Sequence, residues 1–109
     1  MQIAKTGTEG LALALPEGRL DSAAAPEVEA RLLSLLADVG VLVDMAEVRF
    51  VSSAGLRVLL KAAKAAKATD RAFAVCGLQP PVQEVFEISG FNRIMQTFAG
   101  RDEALAALR

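Results

Sequence analysis

Val41-Leu42-Val43-Asp44-Met45 constrains this chain more than any other stretch, because it is an apolar run of strand length with a single carboxylate near its end. A strand with one wet face would alternate apolar and polar residues; this one does not, so both of its faces must be covered. Helical patterns stand on either side of it. Upstream, Val28, Leu32, Leu35, Leu36 and Val39 recur at helical spacing, with Pro26 tolerated in the first turn and Gly40 expected as the C-terminal stop. Downstream, residues 54–68 are rich in Leu, Val, Ala and Lys and predict a long helix. A buried strand between two helices implies an α/β layer structure with parallel strand pairs and right-handed crossovers.

The remaining segments fit the same architecture. Leu11, Leu13 and Leu15 alternate with Ala12 and Ala14 as a strand that Pro16, Glu17 and Gly18 interrupt. Val48, Phe50 and Val51 are expected in extended or looped form. Thr69-Asp70-Arg71 turns the chain into a further short strand, residues 72–76. Pro80-Pro81 opens a helix through Val82, Val85, Phe86 and Ile88, which Ser89-Gly90 ends. Residues 94–98 read as a last strand and 102–108 as a short C-terminal helix. With 109 residues there is room for one domain, spanning 1–109. The expectation is a four- or five-stranded mixed β-sheet, residues 41–44 at its centre, with about four helices packed mainly on one face.

Composition then removes several classes of function. Hydrophobic residues make up 53%, enough for one core and too many for a disordered chain. There is no Trp and no Tyr, so base-stacking platforms for single-stranded nucleic acid are missing. A net charge of −1 leaves no basic footprint either, and no nucleic-acid partner is expected. Without a histidine, a serine triad has no base, and Cys–His catalysis is excluded. Cys76 is the one cysteine; it can form neither an internal disulfide nor a Cys-based metal cluster, and its apolar surroundings read as core. Phosphate-binding glycine motifs of nucleotide enzymes are missing as well. The chain is therefore expected not to be an enzyme, and to need no metal or cofactor. Met1 to Lys5 is not followed by an apolar signal region, and no run approaches the ~18 apolar residues of a membrane span, so a cytoplasmic protein without membrane insertion is expected.

The chemistry that remains is concentrated in Ser52-Ser53-Ala54-Gly55-Leu56-Arg57. Two serines stand at the start of the long helix, and the spacing puts Ser53 at the N-cap, where a serine hydroxyl accepts from a free backbone N–H. Capping alone would account for it. A second reading starts from the N–H groups and positive dipole end, which stabilise an anion there. A phosphate on Ser53 would bring about −1.5 to −2 charges to a point that tolerates them. Gly55 allows either close approach of another protein or tight packing against the neighbouring strand.

These residues resemble those of the STAS domain family, of the anti-sigma factor antagonist type. That family carries a strand ending in Asp, then Val-x-Phe, then a serine loop followed by Gly-Leu, which stands here as Asp44, Val48, Phe50, Ser53, Gly55 and Leu56. Two further family elements are similar to Gly18-Arg19-Leu20-Asp21 and to the strand and Pro-Val helix between Val75 and Phe91. The resemblance implies a phosphoacceptor at Ser53, with Asp21 on the neighbouring loop close to it. Ser52 stands where many members have Asp and Arg57 where many have Gly, which keeps Ser52 as the alternative acceptor.

The implied function is that of a phosphorylation-controlled antagonist. Unphosphorylated, it would bind an anti-sigma factor that is also a serine protein kinase; phosphorylation would release it, and a serine phosphatase would restore it. Asp21, Ser52, Ser53, Ala54, Gly55, Leu56, Arg57 and Lys61 are the expected partner-binding set. ATP and Mg²⁺ would belong to the kinase, and the chain itself would be a monomer or weak dimer. The competing reading is a STAS scaffold subunit of a transport or signalling complex that is never phosphorylated. Three features stay open at this level. Arg57, Lys61 and Lys64 form a basic stripe that is either a solvated face or a surface for an acidic partner. Asp21 is a turn cap or a functional group. Asp44 caps a turn or supports the serine loop.

Overall fold

Turn residues divide the chain into short elements that follow one another with little intervening coil. In the computed structural model, which describes residues 1–108, these are β1 (Gln2–Lys5), β2 (Leu11–Leu15), β3 (Gly18–Leu20), α1 (Ala25–Leu36), β4 (Gly40–Asp44), β5 (Val48–Val51), α2 (Ser53–Ala68), β6 (Phe73–Cys76), α3 (Pro80–Ser89), α4 (Phe91–Ile94), β7 (Gln96–Phe98) and α5 (Arg101–Leu108). Five strands form a mixed sheet in the order β1-β2-β4-β6-β7, with β1 antiparallel to β2 and the other pairs parallel. The apolar run thus lies at the centre of the sheet, as expected.

Its lack of alternation follows from what covers it. Val41 and Val43 face the larger core, with Leu32, Leu36, Leu59 and Phe86. Leu42 faces the other way, into a smaller cluster with Leu13, Ala74, Cys76 and Ala104. Helices α1 and α2 lie against each other on the first face, and α5 covers β4, β6 and β7 on the second. Most of the helical cover is therefore on one face. The helix at the C-terminus is the exception.

Four details differ from the sequence expectation. β1 is an added edge strand, four mostly exposed residues without an apolar pattern to mark them. Gly40 does not stop α1, which ends at Leu36 with Ala37 as its cap. Instead Gly40 opens β4, where a β-carbon would stand 2.9 Å from the Ala72 carbonyl oxygen. Ile94 closes the short helix α4, so only Gln96–Phe98 of the expected last strand pairs into the sheet. Lastly, β3 and β5 pair as a separate two-stranded parallel ribbon.

Candidate functional site

That ribbon sets the geometry of the serine loop. Its strands run parallel and pair Leu20 with Val51, so Asp21 and Ser52 leave it side by side. The Ser52 N–H donates to the Leu20 carbonyl oxygen at 3.0 Å, which ties the two exits together. Ser52 is extended (φ −85, ψ 175) and its Oγ accepts from the Gly55 N–H at 3.3 Å. The N-cap is therefore Ser52, not Ser53. Both serines carry the right side chain, and the extended backbone at Ser52 decides between them. Ser53 is the first helical residue and is exposed. Among the described residues its hydroxyl has no hydrogen-bond partner, and the N–H groups of Ser53 and Ala54 have no protein acceptor.

Asp21 is anchored where it turns the chain into α1. Its Oδ1 accepts from the N–H groups of Ala23 at 3.1 Å and Ala24 at 3.2 Å, and its Oδ2 accepts from Arg19 Nε at 3.4 Å. The Ala24 N–H above all, with help from Arg19 and the Ala23 N–H, holds the carboxyl below its ordinary value against the opposing effect of burial. Asp21 is thus a turn cap that also stands next to the serine loop. Of its two sequence readings, the turn cap is the one observed.

The other expected residues divide by depth. Gly55 and Leu56 are buried, and Gly55 packs against the backbone of Leu20, so its close approach is internal. Ala54 is half-buried, whereas Arg57 is exposed one turn beyond Ser53. Lys61 is exposed too, and pairs with Glu29 Oε1 of α1 at 3.0 Å, so the stripe is partly tied to its neighbour helix. Asp21, Ser52, Ser53, Ala54 and Arg57 therefore gather at the start of α2. Asp44 is buried away from the serines: its Oδ1 accepts from the Ala46 N–H at 3.0 Å and its Oδ2 takes Arg101 Nε at 2.9 Å. Of its two sequence readings, the turn is the one observed.

Arg19 and Phe50 were not anticipated at the site. The Arg19 guanidinium lies 4.2 Å from the centre of the Phe50 ring, which is 40% exposed. Phe50 belongs to the Val-x-Phe motif and Arg19 to Gly18-Arg19-Leu20-Asp21, but neither stood in the expected partner-binding set. No group of three or more His, Cys, Asp or Glu among the described residues could hold a metal ion. None of the described helices is long and apolar enough to cross a membrane. A depression of about 680 Å³ lined by Lys5, Glu9 and Val39 contains none of the serine-loop residues.

Comparison with known proteins bears on this arrangement. The STAS domain family model matches residues 2–104. BtrV of Bordetella bronchiseptica, whose name assigns it provisionally to the anti-sigma factor antagonists, is 37% identical over 112 residues, spanning 100% of this chain and 96% of its own. An anti-sigma-factor antagonist (STAS) domain protein from Planctomyces limnophilus superposes with a TM-score of 0.86 at 19% identity, covering 98% of this chain and 96% of that one. The anti-sigma factor antagonist SpoIIAA in its unphosphorylated form gives 0.83 at 22% identity, covering 99% and 95%. The Bacillus cell fate determinant SpoIIAA in the phosphorylated form gives 0.76 at 21%, covering 99% and 98%. At these identities the superpositions establish a shared fold.

Proposed function

Because this chain belongs to the STAS domain family, we propose that it is an anti-sigma factor antagonist switched by phosphorylation of Ser53. Unphosphorylated, it binds an anti-sigma factor that is also a serine kinase, and so frees the sigma factor. The kinase transfers the γ-phosphoryl group of ATP to Ser53 Oγ; ADP leaves, and the hydroxyl proton goes to solvent. The added charge ends the interaction, and a serine phosphatase restores it by hydrolysis. ATP and Mg²⁺ are the kinase's, and the antagonist acts in the cytoplasm by binding alone.

One observation carries this reading: Ser53 is exposed in the first turn of α2, its hydroxyl unengaged among the described residues, while Ser52 supplies the cap. A phosphate added there removes no hydrogen bond from the fold. It meets the free N–H groups of Ser53 and Ala54 and the positive end of a sixteen-residue helix. Two relatives support the assignment. SpoIIAA has been solved in phosphorylated and unphosphorylated forms, and BtrV is named among the antagonists.

The test is incubation with a purified anti-sigma serine kinase from the same genome and Mg-ATP, followed by intact-mass measurement and phosphopeptide mapping. One phosphate on Ser53 is expected, none on Ser53→Ala, and weakened binding for Ser53→Asp. A phosphate on Ser52 would overturn the site assignment. Binding without a phosphate on either serine would move the chain to the scaffold reading.

A further inference from the structure

The ribbon that ends at the serine loop carries a surface of its own. Gly18 pairs with Val48 but Arg19 pairs with Phe50, so Arg49 is an extra residue on β5 and forms a bulge. A regular strand would send Arg49 and Phe50 to opposite faces. Here both are exposed, while Val48 and Val51 stay buried on the inner side, where α3 packs. The bulge thus turns a phenylalanine into solvent. Its ring is then held in place, since Arg19 lies over it at 4.2 Å and Asp21 tethers Arg19 at 3.4 Å. An exposed aromatic ring forfeits the stabilisation that burial would give it. A pre-positioned ring flanked by arginines has the composition of an interface anchor.

We propose that the outer face of the ribbon, Phe50 with Arg19 and Arg49, is a docking surface for the anti-sigma partner, and that the partner brings to it an apolar pocket rimmed by carboxylates. This rests on the function proposed above, and so does the choice of occupant. A surface released by adding negative charge at Ser53 must meet negative charge on its partner. The exposed cations of the ribbon and of Arg57 supply the complementary sign on either side of that serine. The ribbon is also continuous with the loop, because its strands lead directly into Asp21 and Ser52. An anionic lipid surface would suit the arginines, but Glu17 and Glu47 are exposed beside them, and the net charge of −1 opposes it.

The experiment is calorimetric titration of the full chain into the purified anti-sigma kinase of the same genome, with thermal melts as folding controls. Phe50→Ala and Arg49→Glu are each expected to bind at least about tenfold more weakly than wild type while melting as wild type does. Arg49→Glu guards against a Phe50 variant that misfolds, since Arg49 makes no side-chain hydrogen bond or ion pair among the described residues. If wild type binds and both variants bind equally well, the ribbon proposal falls and the antagonist function stands. If wild type binds no anti-sigma kinase, both fall together. If wild type sediments with phosphatidylglycerol vesicles and Phe50→Ala does not, the surface is a membrane contact and the proposal is overturned.

Discussion

Gly55 lies so close to Leu20 that a β-carbon at position 55 would stand 2.2 Å from the Leu20 carbonyl oxygen. The same oxygen accepts the Ser52 N–H at 3.0 Å. One carbonyl at the end of β3 therefore sets both the entry to α2 and the depth at which its first turn sits. Asp21, the next residue along, is fixed relative to Ser53 by that contact.

Replacing Gly55 by alanine forces these backbones apart. Neither is a flexible side-chain end that could swing aside, so the loss should reach or exceed the ~1–3 kcal/mol of ordinary overpacking, despite alanine's better helix propensity. Urea denaturation of Gly55→Ala measures it. A variant as stable as wild type would mean that the two segments are not clamped.

The two serines should separate by stability. Ser52→Ala removes the side-chain acceptor of the Gly55 N–H and should lose about 0.5–2 kcal/mol. Ser53→Ala removes an exposed hydroxyl and should stay within about 0.5 kcal/mol of wild type. Equal losses in chemical denaturation would contradict the cap assignment.

The same serines mark where the sequence stops being informative. Period and apolarity identified β4, α1 and α2, because a strand covered on both faces and helices with one apolar side leave strong patterns. Capping depends on a single ψ angle, and two adjacent serines offer identical chemistry to it. The ribbon was harder still. Its strands are three and four residues long, and the Arg49 bulge breaks the alternation that would have marked β5. Gly40 misled for a related reason: a glycine after a helix reads as its stop, while the demand on it comes from Ala72, distant in sequence. Gly55 and Leu56 belong to the motif but support the site from beneath.

Cys76 offers a pH-dependent check on the second core cluster. Burial first, with Asp44 opposing a second negative charge nearby, pushes its thiol from 9.0 up to about 11. The unfolded chain therefore loses this proton first as pH rises. The contribution to stability is intact below about pH 9 and is lost as pH climbs toward 11, on the order of 2 kcal/mol by about pH 10.5. Comparing urea midpoints of wild type and Cys76→Ala on both sides of that window isolates the effect from lysine titration. A parallel decline in the two proteins would show that Cys76 does not titrate late.

Phosphorylation should leave the fold in place and stabilise it slightly. A dianion on Ser53 meets two free N–H groups and the helix dipole, worth about 0.3–1 kcal/mol at an exposed site. Arg57 is four residues on, on the same face of α2, and exposed, so it can add a charge-assisted hydrogen bond to the phosphate. Before phosphorylation Arg57 sits near the positive end of the dipole, where a cation is mildly unfavourable. Arg57→Gly also lowers helix propensity by about 1 kcal/mol, but it does so equally in both forms, and a double-mutant cycle cancels that loss. The expected result is a smaller gain on phosphorylation in Arg57→Gly than in wild type, read from thermal melts of the four species. A large loss of far-UV circular dichroism on phosphorylation would instead mean that the switch melts α2, and the surface-charge mechanism would be wrong.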